Sequence, residues 1–177
     1  MADGIGRRIL GLLGALGLAG CDGPVVQTLF MRSVGNWNEL VYATTDGPLY
    51  VEILGEPFQG GRDELAEAVT RAMGQAIAER KTAFTTDAKA APHPNYRVVV
   101  AFQPPKTLSG RELCAGEPYR PAPPEADKFV LAMVFCAREQ MLSEVRGWTR
   151  KVDGPQAPRL AELIGQVTRA LFSRDGR

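Results

Sequence analysis

The sequence predicts an α+β fold. The expected form is a two-layer sandwich with two helices on one face of a four-stranded mixed sheet, in the order β-α-β-β-β-α. Three observations carry this. Residues 65–77 and 160–171 place apolar side chains at helical spacing. Residues 98–101 and 129–136 are unbroken apolar runs of strand length. Clusters of Gly and Pro separate these segments. A chain of 177 residues also suits one domain with a single core.

The turn signal Thr45-Asp46-Gly47-Pro48 precedes the first strand, Leu49 to Leu54, in which Leu49, Val51 and Ile53 point one way. Gly60-Gly61 breaks the chain before a helix over 62–81. Its stripe is Leu65, Val69, Ala72, Met73, Ala76 and Ile77. Asp63 and Glu64 in the first turn and Arg80 and Lys81 in the last would complement the helix dipole. Residues 82–95 are polar and end in Pro92-His93-Pro94-Asn95, a loop. Tyr96 to Phe102 reads as a strand apolar on both faces, hence central and covered on both sides. With the first strand it forms a strand–helix–strand crossover, expected to be right-handed and parallel.

A Gly/Pro-rich loop runs from about 104 to 127, long for a connection without structure of its own. Phe129 to Cys136 is a second two-sided apolar strand. Arg138-Glu139-Gln140 reads as a hairpin turn, and Met141 to Thr149 as the returning strand, so the last three strands form an antiparallel meander. Pro155 and Pro158 suit the start of a final helix over 158–173, with the stripe Leu160, Leu163, Ile164, Val167 and Leu171. The expected division is residues 1–20 as export signal, 21–47 as lipidated N-terminus and tether, 48–173 as the α+β domain and 174–177 as a disordered tail. Within the tether, Val25 to Met31 is a short apolar stretch, and Glu39 to Thr44 reads as a short strand or a helical turn.

The N-terminus carries the address. Arg7 and Arg8 precede an apolar run, Ile9 to Gly20, that is too short for a bilayer core of about 30 Å but suits a secretory signal peptide. The run ends in Leu18-Ala19-Gly20-Cys21. This resembles the lipobox of bacterial lipoproteins. The resemblance implies cleavage of the Gly20–Cys21 bond, a thioether diacylglycerol on Cys21 and usually fatty acylation, such as palmitate, of the new amine. Two or more acyl chains hold a protein firmly to a membrane. The expected location is therefore the bacterial cell membrane, facing the periplasm. Asp22 follows the cysteine, a feature associated with inner-membrane retention in some enterobacteria, and leaves inner and outer membrane both open.

Export places the domain where disulfides persist. With Cys21 modified, Cys114 and Cys136 remain as a pair, and a bridge would tie the long loop back to the sheet. Closing a loop of this size contributes on the order of 3 kcal/mol in the chain-entropy model. The alternative is two buried free thiols.

Composition narrows the partners. Removing residues 1–20 takes away Arg7, Arg8 and Asp3, which leaves 19 of 21 basic and 19 of 20 acidic side chains. A near-neutral domain without a Lys/Arg run has no electrostatic footprint for nucleic acid. Nor does it carry a polybasic segment that binds anionic lipid by charge alone. A single histidine and the absence of C-x-x-C argue against a metal site. No nucleotide-binding glycine pattern or other cofactor motif is present, so no cofactor is expected.

No catalytic set stands out, and the chain reads as a non-enzyme. His93 lies between prolines without a nucleophile nearby in sequence, and Ser109-Gly110-Arg111 is not a nucleophile elbow. Asp63, Glu64 and Glu67 read as a solvated helix start. Trp37, Trp148, Tyr50, Tyr96 and Tyr119 read more readily as packing than as a groove. The element order together with the lipobox resembles small accessory lipoproteins of the lipopolysaccharide-assembly type. That resemblance implies an envelope protein partner and no residue-level site. It is supported by two central strands needing cover on both faces when only two helices are expected: the second face falls to the long loop, the N-terminal segment or another protein. The alternative is a small-ligand binder or an enzyme with its site under the 104–127 loop.

Overall fold

In the computed structural model, residues 23–32, 35–123 and 127–174 are described. The two-sided apolar strands sit where their composition requires. They are β4 (Tyr96–Phe102) and β5 (Phe129–Ala137), antiparallel neighbours with Val98 opposite Phe135 and Val100 opposite Met133. β2 (Leu49–Leu54) lies parallel to β4, with Val51 opposite Val98, and β6 (Gln140–Thr149) returns antiparallel to β5. The crossover pair is therefore parallel and the last three strands form a meander. The hairpin connection is only Arg138-Glu139, with Arg138 at φ 55°, the sign that a two-residue turn demands at its first position.

The sheet is wider than the four strands expected. β1 (Val25–Met31) adds antiparallel to β6, and β3 (Phe84–Thr85) adds parallel to β2, giving six strands in the order β1-β6-β5-β4-β2-β3. Both additions are edge strands. Edge strands lack the deep burial that writes an apolar pattern into a sequence. β1 and α1 (Asn36–Ala43) occupy much of the 21–47 stretch read as a tether. Of the two forms expected for 39–44, the helical one occurs. Its Leu40 and Ala43 enter the core, and Asn36 Nδ2 donates to Leu142 O at 3.1 Å.

One face of the sheet carries α2 (Arg62–Ala76) and α4 (Pro158–Leu171). Leu65, Val69 and Met73 of α2, and Leu160, Leu163, Ile164, Val167 and Leu171 of α4, pack on Val51, Val98, Val100, Leu131, Met133 and Val145. α4 comes unusually close to β6 at Gly147, where a Cβ would stand 2.5 Å from Val167 Cγ2 and 2.8 Å from Leu163 Cδ1. Ser143 Oγ donates to Leu171 O at 3.0 Å and fixes the far end of the same helix.

α2 ends at Ala76, five residues short of the expected boundary. Ile77 has φ −95° and ψ 87°, and leaves the helix while its side chain remains in the core. The chain then folds back, bringing Thr82 O to 3.2 Å from the Cβ position of Gly74, and runs into β3. Arg80 and Lys81 are consequently not at a helix end. Arg80 Nη2 donates instead to Thr44 O at 3.0 Å.

The opposite face is covered by α3 (Gly110–Ala115), a helix absent from the sequence expectation. Leu108, Leu113 and Cys114 pack there on Val99, Ala101, Ala132, Val134 and Cys136. The molecule thus has cover on both sides of its sheet, rather than two helices on one face alone. At the C-terminal end, Arg174 lies 4.1 Å from the ring centroid of Trp37, so the first residue of the expected disordered tail is placed. The remainder of that expected tail, 175–177, and the expected export signal, 1–20, lie outside the described residues.

Gly147→Ala should destabilise the fold by about 1–3 kcal/mol, because the added methyl group meets two core side chains that cannot both retreat. Urea unfolding should show a lower midpoint with an unchanged slope.

Candidate functional site

The alternative expectation puts a site under the 104–127 loop, and that loop is held in place by several contacts. Ser109 caps α3. Its hydroxyl accepts the Glu112 N–H, while the Glu112 carboxylate accepts the Ser109 N–H at 2.7 Å, forming a capping box closed at the other end by Gly116 in the left-handed region. Hydrogen bonds from the Ser109 hydroxyl and backbone hold the Glu112 carboxyl below its ordinary range. The box was written in the sequence as Ser109-x-x-Glu112.

Four groups pin this segment to the sheet. Cys114 and Cys136 are joined as a disulfide across 22 positions, with Cα atoms 5.6 Å apart. Arg97 stands opposite Cys136 in the β4–β5 ladder. Its Nε reaches Glu52 Oε2 at 3.1 Å, Nη1 donates to Arg138 O at 2.8 Å, and Nη2 donates to Cys114 O at 2.6 Å. On β6, the buried Glu144 accepts the Gly110 N–H at 3.0 Å and stands 3.5 Å from Arg146 Nε. Arg146 in turn donates to Pro105 O and Leu108 O. Buried charges are costly unless paired and hydrogen-bonded, and here they hold a loop in place.

The space beneath the α3 part of the loop is filled by the apolar side chains of the second core, with Leu54, Tyr119 and Met141 at its margin. Toward the C-terminal part of the loop, a concavity of about 400 Å³ is lined by Phe102, Gln103, Pro121, Ala122, Asp127 and Phe129 among others. Tyr119 closes one end. Its hydroxyl reaches Phe102 O at 2.8 Å and Leu54 O at 3.2 Å, and burial pushes its pKa from 10.0 up to about 12. Gly55, at φ +86°, passes so close that a Cβ would lie 3.0 Å from Phe102 O and 3.2 Å from the Tyr119 hydroxyl.

Two open concavities lie at other parts of the fold. At one end of the sheet, a cleft of about 480 Å³ is lined by Tyr42, His93, Asn95, Tyr96 and Arg138 among others. His93 Nε2 stands 3.6 Å from Asp46 Oδ2, and its ring centroid is 4.8 Å from that of Tyr42. Tyr96 donates to Glu39 Oε2 at 2.8 Å, which holds its own proton more tightly. Among the described residues, no Ser, Thr or Cys lines this cleft. Near the start of the described chain, a groove of about 720 Å³ is lined by Gly23, Val25, Asp127, Lys128, Trp148, Thr149, Arg150, Lys151 and Arg159. Lys128 Nζ lies 5.9 Å from the centroid of the Trp148 ring. This cluster leaves no local pattern in the sequence, because its basic residues come from three separate segments.

Cys21 lies outside the described residues. Among the described residues, no group of three His, Cys, Asp or Glu side chains is placed to hold a metal ion, and no helix is long and apolar enough to cross a membrane.

No family model matches the chain, and no curated protein does. Among solved structures, it is similar to a PelC dodecamer from Paraburkholderia phytofirmans carrying a single substitution. That match has a TM-score of 0.40 and 7% identity, over 85% of this chain and 95% of that one. A second PelC dodecamer structure from the same organism gives 0.39 and 9%, over 85% and 96%. Similarity at this level is shared by proteins of unrelated role and assigns none to this chain.

Replacing both Cys114 and Cys136 with Ala should cost about 3 kcal/mol in chemical denaturation. Hydrogen exchange should show α3 losing protection while α2 keeps its own. In alkaline titration followed by phenolate absorbance, one step near pH 12 should vanish in Tyr119→Phe. The sign follows from the neutral form being favoured in the folded state. Stability from this group is intact below pH 10, where the unfolded phenol begins to ionise, and is lost between 10 and about 12.

Proposed function

We propose that this chain is the precursor of a membrane-anchored bacterial lipoprotein facing the periplasm, with a non-enzymatic accessory or assembly role in the cell envelope. The observation that carries the reading is Leu18-Ala19-Gly20-Cys21 at the end of a charged-then-apolar leader. A disulfide between Cys114 and Cys136 suits an oxidising compartment.

The accessory role draws its support from how the domain spends its polar groups. Glu144, Arg146 and Arg97 brace a loop, and the space under its α3 part is packed with apolar side chains. Of the three covers expected for the second sheet face, the long loop supplies one through α3. One surface available to a partner among the described residues is the edge strand β1, where Val25 and Leu29 are 46% and 45% exposed.

Protein purified from membranes should have the mass of a chain beginning at Cys21 plus diacylglycerol and one further acyl group. Cys21→Ser should remain unprocessed and unacylated. An unmodified thiol at Cys21, or retention of Met1, overturns the reading. For the accessory role, purification from detergent-solubilised membranes should bring down a stoichiometric protein partner. A bound metabolite in native mass spectrometry, with no such partner, overturns it.

A further inference from the structure

We infer that the groove around Gly23 and Trp148 is the face on which the domain rests against anionic lipid headgroups. The inference depends on the lipid anchor proposed above and specifies how the anchored domain is oriented.

The argument begins with reach. Residues 21–47 are expected to form the lipidated N-terminus and a tether with some local structure, and Gly23 already lines a groove of the folded domain, with β1 starting at Val25. Two residues of fully extended chain span about 7 Å at most. A lipid on Cys21 therefore holds the wall of this groove within about one headgroup layer of the bilayer, whatever the conformation of the two intervening bonds. No comparable constraint acts on the His93 cleft.

The chemistry of the held surface fits an interface. Val25 pairs with Trp148 across β1 and β6, so both project from the same side of the sheet, and both line the groove. Trp is the side chain most at home between headgroups and acyl chains. Lys128, Arg150, Lys151 and Arg159 surround this apolar pair, against Asp127 within the groove. Asp153, 3.8 Å from Lys151, and Glu162, beside Gly23, reduce the positive excess. Charge alone would thus give weak attraction. A covalent anchor makes the encounter intramolecular, and weak contacts then suffice to set orientation. Anionic headgroups complement the basic rim, and the covalent anchor already commits the neighbouring surface to lipid.

The test uses the lipidated protein, purified from membranes and reconstituted into vesicles of phosphatidylcholine and phosphatidylglycerol with brominated acyl chains. Mass spectrometry of the same sample first establishes the acyl groups on Cys21. In wild type, bromine should quench the tryptophan emission by up to about twofold, since Trp37 is the second emitter, and Trp148→Phe should abolish that quenching. The exposed pair Arg150→Glu/Lys151→Glu should reduce it by about half in phosphatidylglycerol-containing vesicles and leave it unchanged in phosphatidylcholine alone. Lipidated protein whose emission is unaffected by bromine, or is equally quenched in Trp148→Phe, overturns the orientation while leaving the anchor intact. An effect of the charge reversal that is equal in both lipids, or absent from both, overturns the headgroup contact. A sample without acyl groups on Cys21 overturns the anchor, and the orientation falls with it.

Discussion

Two neighbouring strands that are apolar on both faces impose the constraint on which the rest of this structure depends. β4 and β5 bring Val98, Val100, Met133 and Phe135 to one side of the sheet and Val99, Ala101, Val134 and Cys136 to the other, all fully buried. Neither side tolerates water. Burial of each such side chain contributes about 1.5–3 kcal/mol, so a face left open would forfeit much of the stability of a domain of this size. Two amphipathic helices satisfy one side. The other side must be met by a segment with little helix of its own, and the polar architecture of the molecule follows from that need.

α3 is six residues long, too short to persist by intrinsic propensity. It is kept by its capping box, by the disulfide at its C-terminal turn and by two arginines that gather the carbonyls around it. Arg97 takes Cys114 O and Arg138 O, whereas Arg146 takes Pro105 O and Leu108 O. Gly110 lets α3 descend onto β6, since a Cβ there would lie 2.6 Å from Met141 Sδ and 2.7 Å from Glu144 Oε2. The buried charges of the domain are therefore accounted for by architecture. The α3 part of the loop is a wall, and the open concavities lie away from it.

How much of this was legible follows from where each residue points. The stripes Leu65-Val69-Met73 and Leu160-Ile164-Val167-Leu171 announced their helices because those positions are buried in the core. The strand at Val25 to Met31 was not legible, since most of its side chains are solvated and an edge strand needs no alternation. The end of α2 was misplaced because Ile77 continues the helical stripe in sequence, yet reaches the core from outside the helix. α3 had a visible cap in Ser109 and Glu112, but its context of glycines and prolines looked like loop. The basic rim around Trp148 had no sequence signal, because Lys128, Arg150 and Arg159 meet only when β5, β6 and the start of α4 are brought together.

The sequence by itself determined which segments must be buried, that the two middle strands needed cover on both sides, and that residues 1–21 carry the pattern on which the proposed anchor rests. These are local properties, because periodicity, turn residues and a short motif are read within a window of neighbours. Only the tertiary structure decided what does the covering, which charges are spent as struts, and that the domain begins at once after the anchor position instead of hanging from a tether. An apolar pattern records that a side chain avoids water but not which surface shields it, and that choice is made by contacts between residues distant in the chain.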